Sequence, residues 1–272
     1  MSPSLFFDIR FGASGDMLAG SLIDLGLDPS ALETELRKLN VDGWRFSPAR
    51  ISKYGLAGYS AGIQAEDDHH HRHLSDILSL INSAPLTARV KESMEKVFRR
   101  LAEAEARVHN SSPEQVHFHE TGAVDSIIDI AAFCVGIDIM KAGAVYFNEF
   151  HFGKGTVMSH HGELPVPVPA VVQLTKGFRA RFTEREGELV TPTAAAILTA
   201  LGAQRCVELS FGLLGSGTGF GTRPYPFPSY TRVFLLEEET GDGDSIFQID
   251  ANIDDMNPQI FPYLMDKLFA AG

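Results

Sequence analysis

The chain has 272 residues, enough for one large or two ordinary domains with a real hydrophobic core, which excludes a small disulfide scaffold. Hydrophobic residues make up 44% and charged residues 21%, proportions that exclude wholesale disorder or a fibrous repeat. With 23 Lys and Arg against 35 Asp and Glu, the formal charge is −12, and no basic stripe interrupts it. A protein that coats nucleic acid needs clustered cations, so that class is excluded.

In chain order, Leu5 to Ile9 reads as a short buried strand. The turn Phe11-Gly12-Ala13-Ser14-Gly15 then leads into a helix with Leu18, Leu22, Ile23 and Leu25 on one side. Asp28-Pro29 opens a second helix running to about Asn40. Strands are expected over 45–51 and 59–64, followed by a polar loop over 66–73. The strongest helical spacing runs from Thr87 to Val108, with Val90, Met94, Val97, Phe98, Leu101, Ala104 and Val108 on one face. Residues 116–119 read as extended, 124–141 as a mostly buried helix, 144–150 as a strand and 165–169 as extended because of its prolines. Thr191-Pro192 opens another helix. The run 212–221 reads as a flexible hairpin or ligand-facing loop, and a strand follows over 230–236.

The fold class that results is α/β, a mixed sheet with helices packed on it. One large domain is expected over 1–238 and a linker over 239–245. Residues 246–272 hold only a strand and a helix, which cannot bury both their faces, so they read as the start of a C-terminal domain. The N-terminus lacks a basic segment followed by an apolar one. The stretch from Ile127 to Met140 is too short to cross a bilayer and contains Asp129 and Asp138. Cys134 and Cys206 form no metal-finger spacing. The expectation is a cytoplasmic protein with no membrane and no nucleic-acid partner.

Histidine clustering is the main chemical signal. Eight of ten histidines fall in three stretches: His69, His70, His71 and His73; His117 and His119; His160 and His161. Neutral imidazole suits nickel, zinc, copper and iron, and the scarcity of cysteine argues against thiolate sites. The first cluster also reads as a solvated turn, but the acidic Glu66 to Asp68 before it favours cations. His117 and His119 point the same way on a strand and can chelate one ion. His160 and His161 point opposite ways, so one of them is a ligand. His109 and His151 are read as structural.

Asp125 and Asp129 share a helix face, either as N-terminal carboxylates favoured by the dipole or as partners of a cation. Gly12 to Asp16 matches neither GxxxxGK[ST] nor GxGxxG, yet a glycine turn opening a helix stabilises phosphate; it also reads as an ordinary turn capped by Ser14. Asp8 and Asp16 flank it as further candidate metal ligands. Thr191 and Thr193 sit at a second helix start, with plain capping the simpler reading for Thr191.

Together these segments resemble the LarC family. The resemblance rests on Gly12-Ala13-Ser14-Gly15-Asp16-Met17, the histidine loop with Leu74-Ser75-Asp76-Ile77, and His117 to Ile127. It rests equally on His161-Gly162-Glu163-Leu164-Pro165-Val166-Pro167 and Glu188-Leu189-Val190-Thr191-Pro192-Thr193. It spans essentially the whole chain. Phe11, Ala194 and Ser229 depart from the usual serine, glycine and asparagine.

The resemblance implies insertion of Ni(II) into pyridinium-3,5-bisthiocarboxylic acid mononucleotide, forming the nickel-pincer nucleotide of lactate racemase maturation. It also implies CTP hydrolysis to CMP and pyrophosphate, Mn(II) or Mg(II), a C-terminal domain associated with CTP, and the apo-racemase as a further partner. Such an activity would be a nickel chelatase or cyclometallase of the lyase class.

The residues expected to carry this activity are as follows. His117, His119 and one of His160 and His161 are core metal ligands, and His69, His70, His71 and His73 form a nickel-collecting arm. Asp16, Glu120 and Asp125 are the catalytic carboxylates. Gly12, Ser14, Gly15, Thr191 and Thr193 hold the substrate phosphate. Two rivals fit the same residues: a metal-dependent phosphohydrolase, and a non-enzymatic nickel store or metallochaperone.

Overall fold

In the computed structural model, which describes residues 3–65, 72–118, 124–159, 162–205, 211–237 and 257–271, the chain opens on β1 (Ser4–Asp8) with Leu5 and Phe7 fully buried. A turn leads to α1 (Gly15–Leu25) and then α2 (Pro29–Leu36), where the Asp28 carboxylate accepts from the Ser30 N–H at 3.0 Å and Pro29 takes the first helical position. Four short strands follow: β2 (Trp44–Phe46), β3 (Ala49–Lys53), β4 (Leu56–Ser60) and β5 (Ile63–Ala65). The two longer strands expected over 45–51 and 59–64 are therefore each broken. Pro48 has no N–H for a ladder, and Gly62, at φ +63°, passes so close to Ser47 that a Cβ there would lie 2.1 Å from its carbonyl oxygen. The chain turns a corner at this crossing. β3 and β4 join the main sheet, while β2 and β5 pair as a separate ribbon.

The histidine loop ends in β6 (Arg72–His73), which runs into α3 (Leu74–Ser83) and then α4 (Ala88–His109), capped by the Thr87 hydroxyl. β7 (His117–Phe118) precedes the almost wholly buried α5 (Val124–Ile139). The single strand expected over 144–150 is two, β8 (Val145–Phe147) and β9 (Phe150–Lys154). Between them the Asn148 carboxamide accepts from the Ile9 N–H at 3.1 Å and donates to Asp8 at 2.8 Å. β10 (Thr156–Ser159) and β11 (Gly162–Pro165) form an antiparallel hairpin. α6 (Pro169–Leu174) begins where an extended stretch was expected, since Pro169 fits the first turn of a helix. β12 (Ala180–Glu186), α7 (Pro192–Leu201), β13 (Ala203–Gln204), β14 (Gly212–Gly219), β15 (Thr231–Glu237) and α8 (Phe261–Ala271) complete the order. The linker 239–245 and the strand expected at 246–253 lie outside the described residues.

The main sheet runs β13-β8-β1-β15-β14-β4-β3. β1 is parallel to β8 and antiparallel to β15, with Phe7 opposite Phe147 on one side and Val233 on the other. The glycine run is not a loop: β14 lies inside the sheet, between β15 and β4. Its glycines let α1 approach at backbone distance, since a Cβ on Gly217 would lie 2.2 Å from the Ser21 carbonyl oxygen and one on Gly219 would lie 1.9 Å from that of Met17. α1 is thus pinned across the sheet with its N-terminus beyond the carboxyl end of β1, the edge at which open α/β sheets place ligands.

The chain divides into two units, Met1–Glu239 and Thr240–Gly272. In the second, α8 carries Phe261, Leu264, Met265 and Leu268 at helical spacing. No helix among the described residues is long and apolar enough to cross a membrane.

Candidate functional site

Three helices begin around one cavity of about 240 Å³. α1 contributes Ser14, Gly15, Asp16 and Met17, α5 contributes Asp125, Ser126 and Asp129, and α7 contributes Thr191, Pro192 and Thr193. Two of these starts are stitched together by backbone. The Ala13 N–H donates to the Leu189 carbonyl at 2.8 Å and the Thr191 N–H to the Ala13 carbonyl at 3.0 Å, a parallel bridge between Ala13 and Val190. α5 joins through Ser126 and Thr193, whose hydroxyls are 3.5 Å apart. Helix N-termini carry orphan N–H groups and a partial positive charge, so convergence of three favours an anion or carboxylates.

Carboxylates are already there. Ser14 holds the N-cap position of α1, yet its hydroxyl donates to the Asp16 carboxylate and does not cap the backbone. The other Asp16 oxygen accepts from the Thr222 N–H at 3.2 Å. Asp129 packs so tightly on the start of α1 that a Cβ on Gly15 would lie 2.4 Å from its Oδ2. Its Oδ1 is occluded and has no hydrogen-bond partner among the described residues. Burial, reinforced by the charges of Asp16 and Asp125, pushes the Asp129 carboxyl well above the usual carboxylate range.

Asp8, a candidate metal ligand from the sequence, is committed elsewhere. Arg10 grips it with two bonds of 2.8 Å, and Arg232 and Asn148 each donate to it at 2.8 Å. Burial opposes its charge, but these donors together hold its carboxyl well below the usual range.

A second cavity of about 260 Å³ adjoins the first and shares Glu188, Pro192 and Arg223 with it. The Glu188 side chain is 6% exposed and accepts from Arg223 at 2.6 Å. The Tyr225 hydroxyl donates to the Glu188 carbonyl at 2.8 Å, and its ring packs on Gly187, where φ is +97°. The remaining walls are the end of α4, the β10–β11 hairpin and the start of α6.

The structure brings together Ser14, Gly15, Asp16, Asp125, Thr191 and Thr193. Gly12 does not line the cavity. It sits at φ +128° against Ser229 and Leu189, and its carbonyl accepts from the Thr231 hydroxyl at 2.7 Å. The Thr191 hydroxyl caps α7, accepting from Ala194 at 3.3 Å.

His69, His70, His71, His119, Glu120, His160 and His161 lie outside the described residues. His73 and His117 are register partners in the β6–β7 ladder, so two of the three histidine stretches meet along the backbone. One residue near each stretch lines a cavity: Ile63 before the first and Asp125 after the second line the polar cavity, and Ser159 before the third lines the adjoining one. Among the described residues no three His, Cys, Asp or Glu side chains converge closely enough to hold a metal ion by themselves. Cys134 is buried, and that burial raises its thiol well above the ordinary value, in keeping with no nucleophilic role.

Sequence reasoning left Glu188, Arg223 and Tyr225 out of the site. Their signal was faint, because Arg223 and Tyr225 come from a proline-rich loop with no motif. His151, read as structural, is half-buried beside Glu149 at 3.3 Å, whereas His109 stands on the wall of the second cavity.

A family model described as nickel insertion protein matches residues 5–272. A protein of Geobacter sp. (strain M21) is 43% identical over 270 residues, covering 98% of this chain and 70% of its own length. A pyridinium-3,5-bisthiocarboxylic acid mononucleotide nickel insertion protein of Akkermansia muciniphila is 40% identical over 281 residues, covering 99% of this chain and 69% of its own length. The protein of that name from Desulfitobacterium hafniense (strain DCB-2) is 38% identical over 275 residues, covering 98% and 68%. No solved structure matches the chain.

Proposed function

The chain belongs to the nickel insertion protein family, and on that footing we propose that it inserts Ni(II) into pyridinium-3,5-bisthiocarboxylic acid mononucleotide. The observation that carries this reading is the polar cavity, where three helix N-termini and three aspartates meet near the first two histidine stretches, with the third stretch beside the adjoining cavity.

Nickel is the cargo. Two thiocarboxylate sulfurs and one ring carbon accept it, and as the nickel–carbon bond forms the ring C–H bond breaks and its proton leaves to a base. Imidazoles suit the donor side because they select nickel yet release it. His117, His119 and one of His160 and His161 are the core ligands in this reading, supported by Glu120 and Asp125, and His69 to His73 collect the ion. Ser14, Gly15, Thr191 and Thr193 receive the substrate phosphate.

A phosphate beside Asp16, Asp125 and Asp129 needs charge compensation, and the orphaned Oδ1 of Asp129 fits a resident Mn(II) or Mg(II). Such a cation commonly binds through one or two carboxylates plus phosphate oxygens, so three protein ligands are not required. Asp129 with one neighbour, Asp16 or Asp125, would hold it, and it would neutralise phosphate charge. CTP hydrolysis to CMP and pyrophosphate is the coupled reaction, and the apo-racemase is the recipient of the product.

An anaerobic assay with precursor, nickel, manganese and CTP tests the proposal, run with the chain alone and with the C-terminal domain of a longer relative added, and read by racemase reconstitution. Nickel-dependent product is expected. Replacing His69, His70, His71 and His73 together should slow insertion without abolishing it, whereas a nickel store would lose most of its metal. Because imidazole binds metal only when neutral, nickel affinity should fall as the pH drops through about 6.5. Equilibrium dialysis at two pH values measures this, and an unchanged affinity counts against histidine ligation.

A further inference from the structure

The second cavity differs from the first in what lines it. Val108, Val157, Leu164, Val168 and Ala170 give it aliphatic walls, drawn from the end of α4, the β10–β11 hairpin and the start of α6. The first is walled mainly by helix starts, hydroxyls and carboxylates. Between them stand Glu188 and Arg223, locked by their 2.6 Å ion pair and by the Tyr225 bond to the Glu188 carbonyl. At about 240 and 260 Å³, each cavity alone falls below the range of small-molecule sites, roughly 300–1,000 Å³, whereas the two joined fall inside it.

We propose that the two cavities form one bipartite site, in which the phosphate of a pyridinium mononucleotide occupies the polar cavity, its ribose crosses the Glu188–Arg223 wall and its aromatic ring enters the aliphatic cavity. This rests on the nucleotide reading above and divides that ligand between two places. A phosphate cannot be desolvated among Val and Leu side chains without loss, and a flat ring gains nothing from orphan N–H groups at helix starts. The Arg223 side chain is 57% exposed and lines both cavities, so it can pair with an acidic substituent on the ring without leaving Glu188. The arrangement orients the ring: one end is fixed by the phosphate and one face lies against aliphatic side chains. The ring edge is thereby held beside the hairpin that carries Ser159.

The test uses the full chain with magnesium present and two probes, nicotinic acid mononucleotide and ribose 5-phosphate, the second lacking only the ring. By calorimetry the mononucleotide should bind about tenfold more tightly. Val157→Phe, which fills the aliphatic cavity from the hairpin, should erase that difference while ribose 5-phosphate binding stays within about twofold. Saturation-transfer NMR on the unaltered chain needs no variant. Irradiating methyl resonances should saturate the ring protons more than the ribose protons.

Equal binding of the two probes, or stronger saturation of the ribose, overturns the division while leaving the phosphate cradle in place. If neither probe binds, the cradle itself is wrong, and this proposal falls with it.

Discussion

Asp8 ends β1 in the grip of Arg10, Arg232 and Asn148, whereas Asp129 faces the start of α1 among Asp16 and Asp125, with one oxygen unpartnered among the described residues. Asp8 is buried and Asp129 partly so, and burial disfavours the charge of both. Directed donors reverse that penalty at Asp8, so its carboxyl stays ionised and ties β1 to β15 and to the Asn148 turn. At Asp129 nearby charges of the same sign deepen it. The first arrangement is complete in the folded chain, while the second, among the described residues, leaves an oxygen that a proton or a cation would satisfy. That difference separates a carboxylate that stabilises the fold from one that stores binding potential.

The largest effect should come from Asp8→Ala, which strands two guanidinium groups and the Asn148 amide. Partial exposure of both arginines softens the loss to about 2–4 kcal/mol, read as a lower urea midpoint at constant slope. Gly15→Ala comes next. Its Cβ would fall 2.4 Å from the Asp129 carboxylate, costing about 1–3 kcal/mol and displacing a wall of the polar cavity. Magnesium-dependent ribose 5-phosphate binding should disappear with it.

Asp129→Asn should act in the opposite sense to Asp8→Ala, gaining about 0.5–2 kcal/mol at neutral pH while weakening the same binding. A stability loss comparable to that of Asp8→Ala would erase the distinction between the two sites. Smallest is Thr191→Ala, about 1 kcal/mol from loss of the α7 cap.

The two carboxyls also set opposite pH limbs. The carboxyl of Asp8 is depressed in the folded state, so its contribution is complete above the unfolded value near pH 4 and fades as the pH falls toward the folded value. Asp129 is raised, so the folded chain holds its proton more tightly, and stability declines as the pH climbs from about 4 toward the folded value. Thermal midpoints across pH should show Asp129→Asn flattening the upper decline and leaving the acid limb alone.

Much of the fold was legible because local physics left little choice. Asp28-Pro29 and Thr191-Pro192 combine a capping side chain with a proline that fits only the first turn, and the apolar stripe of 87–108 has one consistent period. The glycine run of 212–221 misled because glycine in a strand signals close approach, and what approaches cannot be known until α1 is laid across β14. The break at Gly62 was missed for the same reason, since the partner it accommodates is Ser47, in the turn between β2 and β3.

Of the candidate site, Ser14, Gly15, Asp16, Asp125, Thr191 and Thr193 were legible as helix starts. Their convergence was not, and neither was the exclusion of Asp8 by Arg232, which lies 224 residues away.

The sequence by itself determined the helix starts, the amphipathic faces, the histidine-rich composition and the family, because these depend on residue type and near-neighbour spacing. Only the tertiary structure decided which aspartate is neutralised and which is left among like charges, and that two cavities meet at Glu188 and Arg223. Charge compensation and cavity shape are set by atoms distant in sequence, and no local pattern encodes their separation.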